Sequence, residues 1–215
     1  SISFGGSLFR KEGDHFIVKV KDKEKKLLQT IVDMIYKDKS VSPASIGESG
    51  AGMIPGFFSG KYAMLVGIGS WGRQQLVENA PKDFKWGVMP PLKAKTQMYG
   101  VSTQTLSIPK KSKRTKEAMM FIDYMLSSKN TARLALDDWM IPSRKSCLEM
   151  PEFKDTIGSW DITCSAVNTL GVGSWLGAPG YVEWKSRVAN PVLQELFAGR
   201  LTVDDAAKRI ERESN

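Results

Sequence analysis

The chain has 215 residues, 41% of them hydrophobic and 25% charged, with a formal net charge of +8. That length suits one large domain or two small ones with a buried core, and no run of about 18 apolar residues is present to make a membrane-spanning helix. A single histidine, His15, and two cysteines outside any CxxC, Cys147 and Cys164, exclude a zinc site of the usual spacing.

The basic excess raises nucleic acid or an anionic surface as a partner. The lysines are spread, however, and their two clusters, residues 19–26 and 110–116, are flanked or interrupted by acids or apolar helix positions. A solvated basic face is the simpler reading, and no nucleic-acid partner is expected. For Cys147 and Cys164 two states stay open: a disulfide, which could contribute about 3 kcal/mol in an oxidising compartment, or two buried thiols. Ser1 to Gly6 shows neither a basic n-region nor an apolar h-region, so no signal peptide is expected in this stretch.

In chain order, Phe4 to Val20 reads as short extended pieces around a turn at Glu12-Gly13-Asp14, with Phe16, Val18 and Val20 on one face of a strand. Leu27, Leu28, Ile31, Val32 and Ile35 recur at helical spacing and predict an amphipathic helix from Asp22 to Lys37. Ser45 to Gly56 is rich in Ser and Gly and predicts a loop leading into a short helical turn. The apolar run Tyr62 to Val66 predicts a buried strand, followed by the glycine-rich Gly67 to Gly72 and a short helix to Asn79. Phe84 to Met89 and Tyr99 to Ile108 predict further extended segments. Helices are predicted over Thr115–Leu126 and Thr131–Asp137, and a short one over Glu149–Ser159. Asn168 to Tyr181, glycine-rich and aromatic, predicts a functional loop. Trp184–Ala198 predicts a helix stopped by Gly199, and Thr202 with Asp204 and Asp205 marks the start of a final one. Strands and helices interleave, which points to a mixed α/β fold.

Three chemistries suit these residues. Nucleophilic catalysis would need His15, which has no nucleophile elbow near it, so an enzyme of that kind is not expected. Gly67-Ile68-Gly69-Ser70-Trp71-Gly72 matches GxGxxG after a strand-like run. The following helix is short, though, and no acidic residue ends a second strand about 20 residues on, as a dinucleotide site requires. Small-solute binding fits better: Trp71, Tyr99, Trp175, Tyr181 and Trp184 all sit in or beside predicted loops, and concave aromatic sites with a few polar groups take sugars and similar ligands.

Four stretches carry a resemblance. They are Phe57-Phe58-Ser59-Gly60-Lys61-Tyr62-Ala63-Met64 with Gly69-Ser70-Trp71, and Trp86-Gly87-Val88-Met89-Pro90-Pro91-Leu92. Next comes Tyr99-Gly100 through Leu106 to Lys113, with Glu117 to Ile122 after it; last is Leu196 to Ala206. Together and in this order they resemble the family 1 extracellular solute-binding proteins of ABC importers, the group that includes maltose-binding protein.

The resemblance implies an α/β fold of the periplasmic-binding-protein type, class II. This chain would supply mainly the second lobe, with a segment belonging to the first. Residues 1–100 would be second lobe, 101–142 the crossing strand and helices of the first lobe, and 143–215 the return. Family members are longer, so Ser1 would fall near the middle of such a chain, with any signal or lipoprotein peptide outside it. In the family the solute lies in a cleft between lobes, closure follows from contacts to both, and the loaded protein docks on membrane permease subunits at the cell envelope, periplasmic or extracellular. Carried over by motif, Trp71 would stack on the solute. Ser70, Arg73 and Tyr99 would lie near it, and Trp175, Tyr181 and Trp184 would supply a second aromatic. No catalytic residue, metal or cofactor is implied. The 101–142 segment would expose Ile108, Met119, Phe121, Ile122, Met125 and Leu126, which leads to the expectation that the chain pairs with another copy or swaps that segment. A nucleotide-binding enzyme using Gly67–Gly72 and a basic interaction module are the alternatives.

Overall fold

The computed structural model describes residues 2–42, 51–69, 71–101, 104–137, 140–154 and 160–214. The chain divides into two units: Ser1–Ser49, Pro91–Val101 and Thr169–Asn215 form unit 1, and Gly50–Pro90 with Ser102–Asn168 forms unit 2.

Unit 1 begins with a hairpin. Strands β1 (Phe9–Glu12) and β2 (His15–Val18) pair antiparallel with Phe9 opposite Val18 and Glu12 opposite His15. Gly13 takes φ +60° at the first of the two loop positions, which a tight hairpin turn requires and a side chain would oppose. Helix α1 (Asp22–Tyr36) follows, its start fixed by Glu24, whose carboxylate accepts the Lys21 backbone N–H at 3.1 Å. The unit closes with two helical runs packed against α1. The first passes from Tyr181–Trp184 through a π turn at Lys185–Ala189 into Asn190–Phe197, and the second is Val203–Ser214. The π turn sits just before Pro191, which has no N–H to continue an α ladder. Thr202 caps the last helix as predicted: its Oγ1 accepts the Asp205 N–H at 3.1 Å and donates to the Asp205 carboxylate at 2.6 Å. Val18, Ile35, Val192, Leu196, Ala206 and Ile210 are among the buried core residues. Strands β3 (Tyr99–Gly100) and β4 (Leu170–Gly171) add a two-residue parallel pairing.

Unit 2 is helical among its described residues. It holds α2 (Ile54–Phe58), α3 (Trp71–Asn79), α4 (Thr115–Met125), α5 (Ser128–Asp137) and α6 (Trp160–Ser165), with 3-10 turns at Lys145–Glu149 and Pro151–Phe153. Its core is small: Ala132, Ala135, Cys147, Phe153 and Trp160. Phe153 meets Trp160 edge-on at 5.1 Å, and Phe84 meets Phe57 and Phe58 edge-on at 5.1 and 5.3 Å.

Several expectations are corrected. Tyr62–Val66 and Phe84–Met89 form no ladder, and the extended Tyr99 segment pairs only over Tyr99–Gly100. A strand needs a partner for its backbone groups, and among the described residues none pairs with the first two. The short helix expected over Glu149–Ser159 reduces to the 3-10 turn at Pro151–Phe153 in its described part, because Pro151 interrupts the ladder; residues 155–159 lie outside the described residues. The fold is α/β but mostly helical. Cys147 and Cys164 are free thiols: Cys147 is buried with its Sγ donating to the Ser128 carbonyl, and burial pushes the Cys164 thiol up. Half of the Ser45–Gly56 stretch, residues 45–50, lies outside the described residues, and the described half is a 3-10 turn at Ala51–Met53 leading into α2.

Candidate functional site

The sequence-predicted residues fall into two groups, one in each unit. In unit 2, Trp71 opens α3 and Arg73 lies two residues further along the helix. The glycines around them have packing roles. A Cβ at Gly69 would come within 2.9 Å of the Trp71 indole, and one at Gly72 would come 2.0 Å from Ile68 Cγ2. The GxGxxG glycines therefore make room for this turn's own side chains. Among the described residues no strand leads into them, and that removes the context a phosphate cradle needs. The Trp71 side chain rests on Gly69, and the residue keeps 44% of its surface exposed. Arg73 is the reverse: at 3% exposed it is buried, its guanidinium 3.9 Å above the centre of the Trp160 ring. Its positive charge also pulls against the burial that raises the Cys164 thiol. Ser70 lies outside the described residues.

In unit 1, Trp175, Tyr181 and Trp184 form one column. Tyr181 stacks on Trp175 and on Trp184, each at 6.1 Å between ring centres with interplanar angles of 25° and 26°. Phe9 meets Tyr181 and Trp184 edge-on at 5.7 and 4.8 Å. Trp175 fits only because two neighbours are glycine: a Cβ at Gly173 would lie 1.8 Å from its ring, and one at Gly100 would lie 2.7 Å from it. Trp184 donates its Nε1–H to Ser214 Oγ at 2.7 Å and packs on the core of unit 1, so it holds structure rather than presenting an open face. Tyr181 borders a shallow depression of about 650 Å³ walled by Val182, Ser186 and the Glu183–Arg187 ion pair. Tyr99 sits in β3, and burial raises its phenol pKa.

Sequence reading missed Trp160 and Phe9. Trp160 follows a stretch without periodicity, and nothing in its neighbourhood announces a platform for an arginine. Phe9 reads as an ordinary strand residue. Among the described residues no group of three His, Cys, Asp or Glu is placed to hold a metal.

The sequence profile of bacterial extracellular solute-binding proteins matches residues 1–132. The chain belongs to that family. A curated relative, an uncharacterised lipoprotein in the oleD 5′ region of Streptomyces antibioticus, is 38% identical over 208 residues, covering 95% of this chain and 46% of its own length. Solved structures share the fold. A putative oligosaccharide periplasmic-binding protein from Synechococcus superposes with a TM-score of 0.72 at 20% identity, and its zinc complex with 0.76 at 20%. The substrate-binding protein Lmo0181 from Listeria monocytogenes, solved with cycloalternan, gives 0.72 at 19%. All of this chain is covered in these superpositions, but only 54–55% of the neighbours. The chain thus spans about half the length of the relatives it matches.

Proposed function

We propose that this chain is part of the substrate-binding component of an ABC importer, which takes a sugar or related small solute in the interlobe cleft of the whole protein and delivers it to a membrane permease at the cell envelope. Family membership supports the solute-binding role. The observation that carries the solute class is Trp71, a partly exposed indole held on Gly69 at the head of α3. Sugars present apolar C–H faces that stack on such a ring, while their hydroxyls take polar partners. The oligosaccharide in the name of the Synechococcus neighbour and the cycloalternan held by Lmo0181 support the same class. Trp175 and Tyr181 are the second aromatic pair proposed for the solute, with Tyr181 reached from its depression; Tyr99, in the same unit, belongs to the proposed set. Ser70 belongs to the proposed set because it precedes Trp71 in the sequence. Arg73, buried on Trp160, positions the helix that carries Trp71. The lipoprotein relative supports attachment at the envelope.

The test is tryptophan fluorescence of the full-length protein, titrated with cycloalternan and a panel of linear oligosaccharides. A saturable change that Trp71→Ala abolishes is expected. Silence toward every saccharide, with the variant equally silent, overturns the sugar reading.

A further inference from the structure

Residues 110–116 read Lys-Lys-Ser-Lys-Arg-Thr-Lys: five basic side chains, no acid, and more than half of the chain's net charge of +8. The fold displays all five. Ser112 donates its N–H to the Pro109 carbonyl at 2.9 Å, closing a tight turn with Lys110 and Lys111 at its two central positions. Helix α4 starts just beyond it at Thr115, and every basic side chain of the run is exposed. Arg114 pairs with Glu117 at 3.3 Å, whereas Lys110, Lys111, Lys113 and Lys116 have no ion-pair partner among the described residues. The other lysine-rich stretch, residues 19–26, is built differently. Asp22 and Glu24 interrupt it, Lys25 pairs with Asp204 at 2.6 Å, and Lys23 donates to the Gly5 carbonyl.

The run is also misplaced for stability. A helix N-terminus carries the positive end of the macrodipole and N–H groups without intrahelical partners, so acids stabilise it and cations destabilise it. The last helix, Val203–Ser214, follows that rule, with Asp204 and Asp205 in its first turn and Thr202 as cap. Helix α4 breaks it: among the described residues no side chain caps its first turn, and the basic run lies at its positive end. A local rule broken without a compensating contact inside the protein marks a function outside it. We propose that the Pro109–Lys116 stretch is a docking surface for an anionic phospholipid membrane, its four unpaired lysines meeting the lipid phosphates. The residue type favours this occupant. Lysine is a mobile point charge that adds to attraction by a charged surface without demanding a geometry, whereas shaped recognition of single carboxylates or phosphates favours the arginine fork. The inference rests on the envelope location proposed above and not on which solute is taken.

Vesicle sedimentation of this chain tests it. Vesicles containing phosphatidylglycerol should bind the chain and pure phosphatidylcholine should not; raising salt from about 50 to about 300 mM should weaken binding roughly tenfold or more. Lys110→Gln, Lys111→Gln and Lys113→Gln together should weaken binding about a hundredfold, at roughly fivefold per charge, and should raise the melting temperature slightly by relieving the helix end. Lys11→Gln, Lys26→Gln and Lys208→Gln, at exposed positions of unit 1, remove the same charge and should matter far less. An equal loss in that control makes overall charge the cause and overturns the proposal, as does an absence of binding to phosphatidylglycerol. Competition by inorganic phosphate at fixed ionic strength assigns the stretch to a free anion and overturns it. So does an Asp/Glu-rich peptide that shields Lys110 from acetylation where vesicles do not, which assigns it to a protein partner. In the full-length protein, vesicles should slow acetylation of Lys110 and Lys111 but not of Lys11; slow acetylation without vesicles shows these lysines already covered and overturns the proposal. Cell fractionation tests the envelope location separately, since recovery in the cytosol removes that reading and leaves the vesicle result standing.

Discussion

Unit 1 and unit 2 are nearly the same length and are made differently. In unit 1 each helix meets a partner: α1, Asn190–Phe197 and Val203–Ser214 pack on one another over a core that includes Val192, Leu196 and Ile210. Cross-chain polar ties reinforce it, with the Val20 N–H donating to Glu211 at 2.7 Å and Arg209 bridging Glu195 and Glu213 at 2.9 Å each. Unit 2 gathers its core around Phe153, Trp160 and two alanines, and leaves one side of α4 in water. Equal shares of chain do not make equal stability; buried apolar surface does, at roughly 25 cal/mol per Å².

The comparison is broken or sharpened most strongly by core truncation. Leu196→Ala should cost about 3 kcal/mol and lower the unfolding transition of unit 1. Phe153→Ala should cost about as much and act on a separate, earlier transition. Hydrogen exchange followed through a thermal ramp tells the two apart; a single transition moved equally by both variants would remove the distinction between the units. Next in size is Gly173→Ala, expected to cost about 1–3 kcal/mol by overpacking. It should also shift tryptophan emission, because the added carbon occupies the Trp175 ring position. An unchanged spectrum and melting temperature would show that the aromatic column adapts freely.

Trp184→Phe keeps an aromatic ring but removes the hydrogen bond to Ser214, and should destabilise unit 1 by about 1 kcal/mol in a denaturant titration. A loss no larger than that of a surface substitution would return Trp184 to the candidate ligand residues. The smallest effect is expected at Asp204. Its carboxylate is held below the usual range by the Lys25 ammonium at 2.6 Å. A depressed folded value gives stability that is present at neutral pH and lost as pH falls through it, but both groups are exposed and screened. Asp204→Asn should therefore lower the melting temperature only slightly at neutral pH, and the difference from the parent should vanish as pH falls through the range where the carboxylate takes up its proton.

The helices were legible because their signal is internal to the chain. Leu27, Leu28, Ile31 and Ile35 mark α1 to within a residue, and Thr202 with Asp205 marks the last helix. Of the strands, the hairpin turning at Gly13 was legible and the Tyr62–Val66 strand was not, because Met64 and Val66 alternate as a strand does only when another segment takes their backbone bonds. The Trp184–Ala198 helix was legible as an element but not in its path: the periodicity of Val188, Val192 and Leu196 says nothing of the π turn between Trp184 and Asn190. At the site, Trp71 stood out as the one large side chain on a glycine-rich turn, and the structure keeps it exposed. Trp175, Tyr181 and Trp184 looked like three loop aromatics; which of them packs and which opens depends on Phe9 and Ser214, distant in sequence. Arg73 read as a ligand contact, and its burial on Trp160 depends on a segment that carries no local mark.

The π turn at Lys185–Ala189 also sets how this helix tolerates insertions and deletions. A π turn holds one residue more than the α-helical path would, and one residue corresponds to about 100° of rotation. Removing a single residue from this segment would let the helix run regularly, yet it would swing Tyr181 and Trp184 away from Phe9 while Val192 and Leu196 stayed in the core. Related chains that lack the extra residue would keep the same bundle and lose the aromatic column, so the length of this short stretch can be read as a marker of whether the column is present.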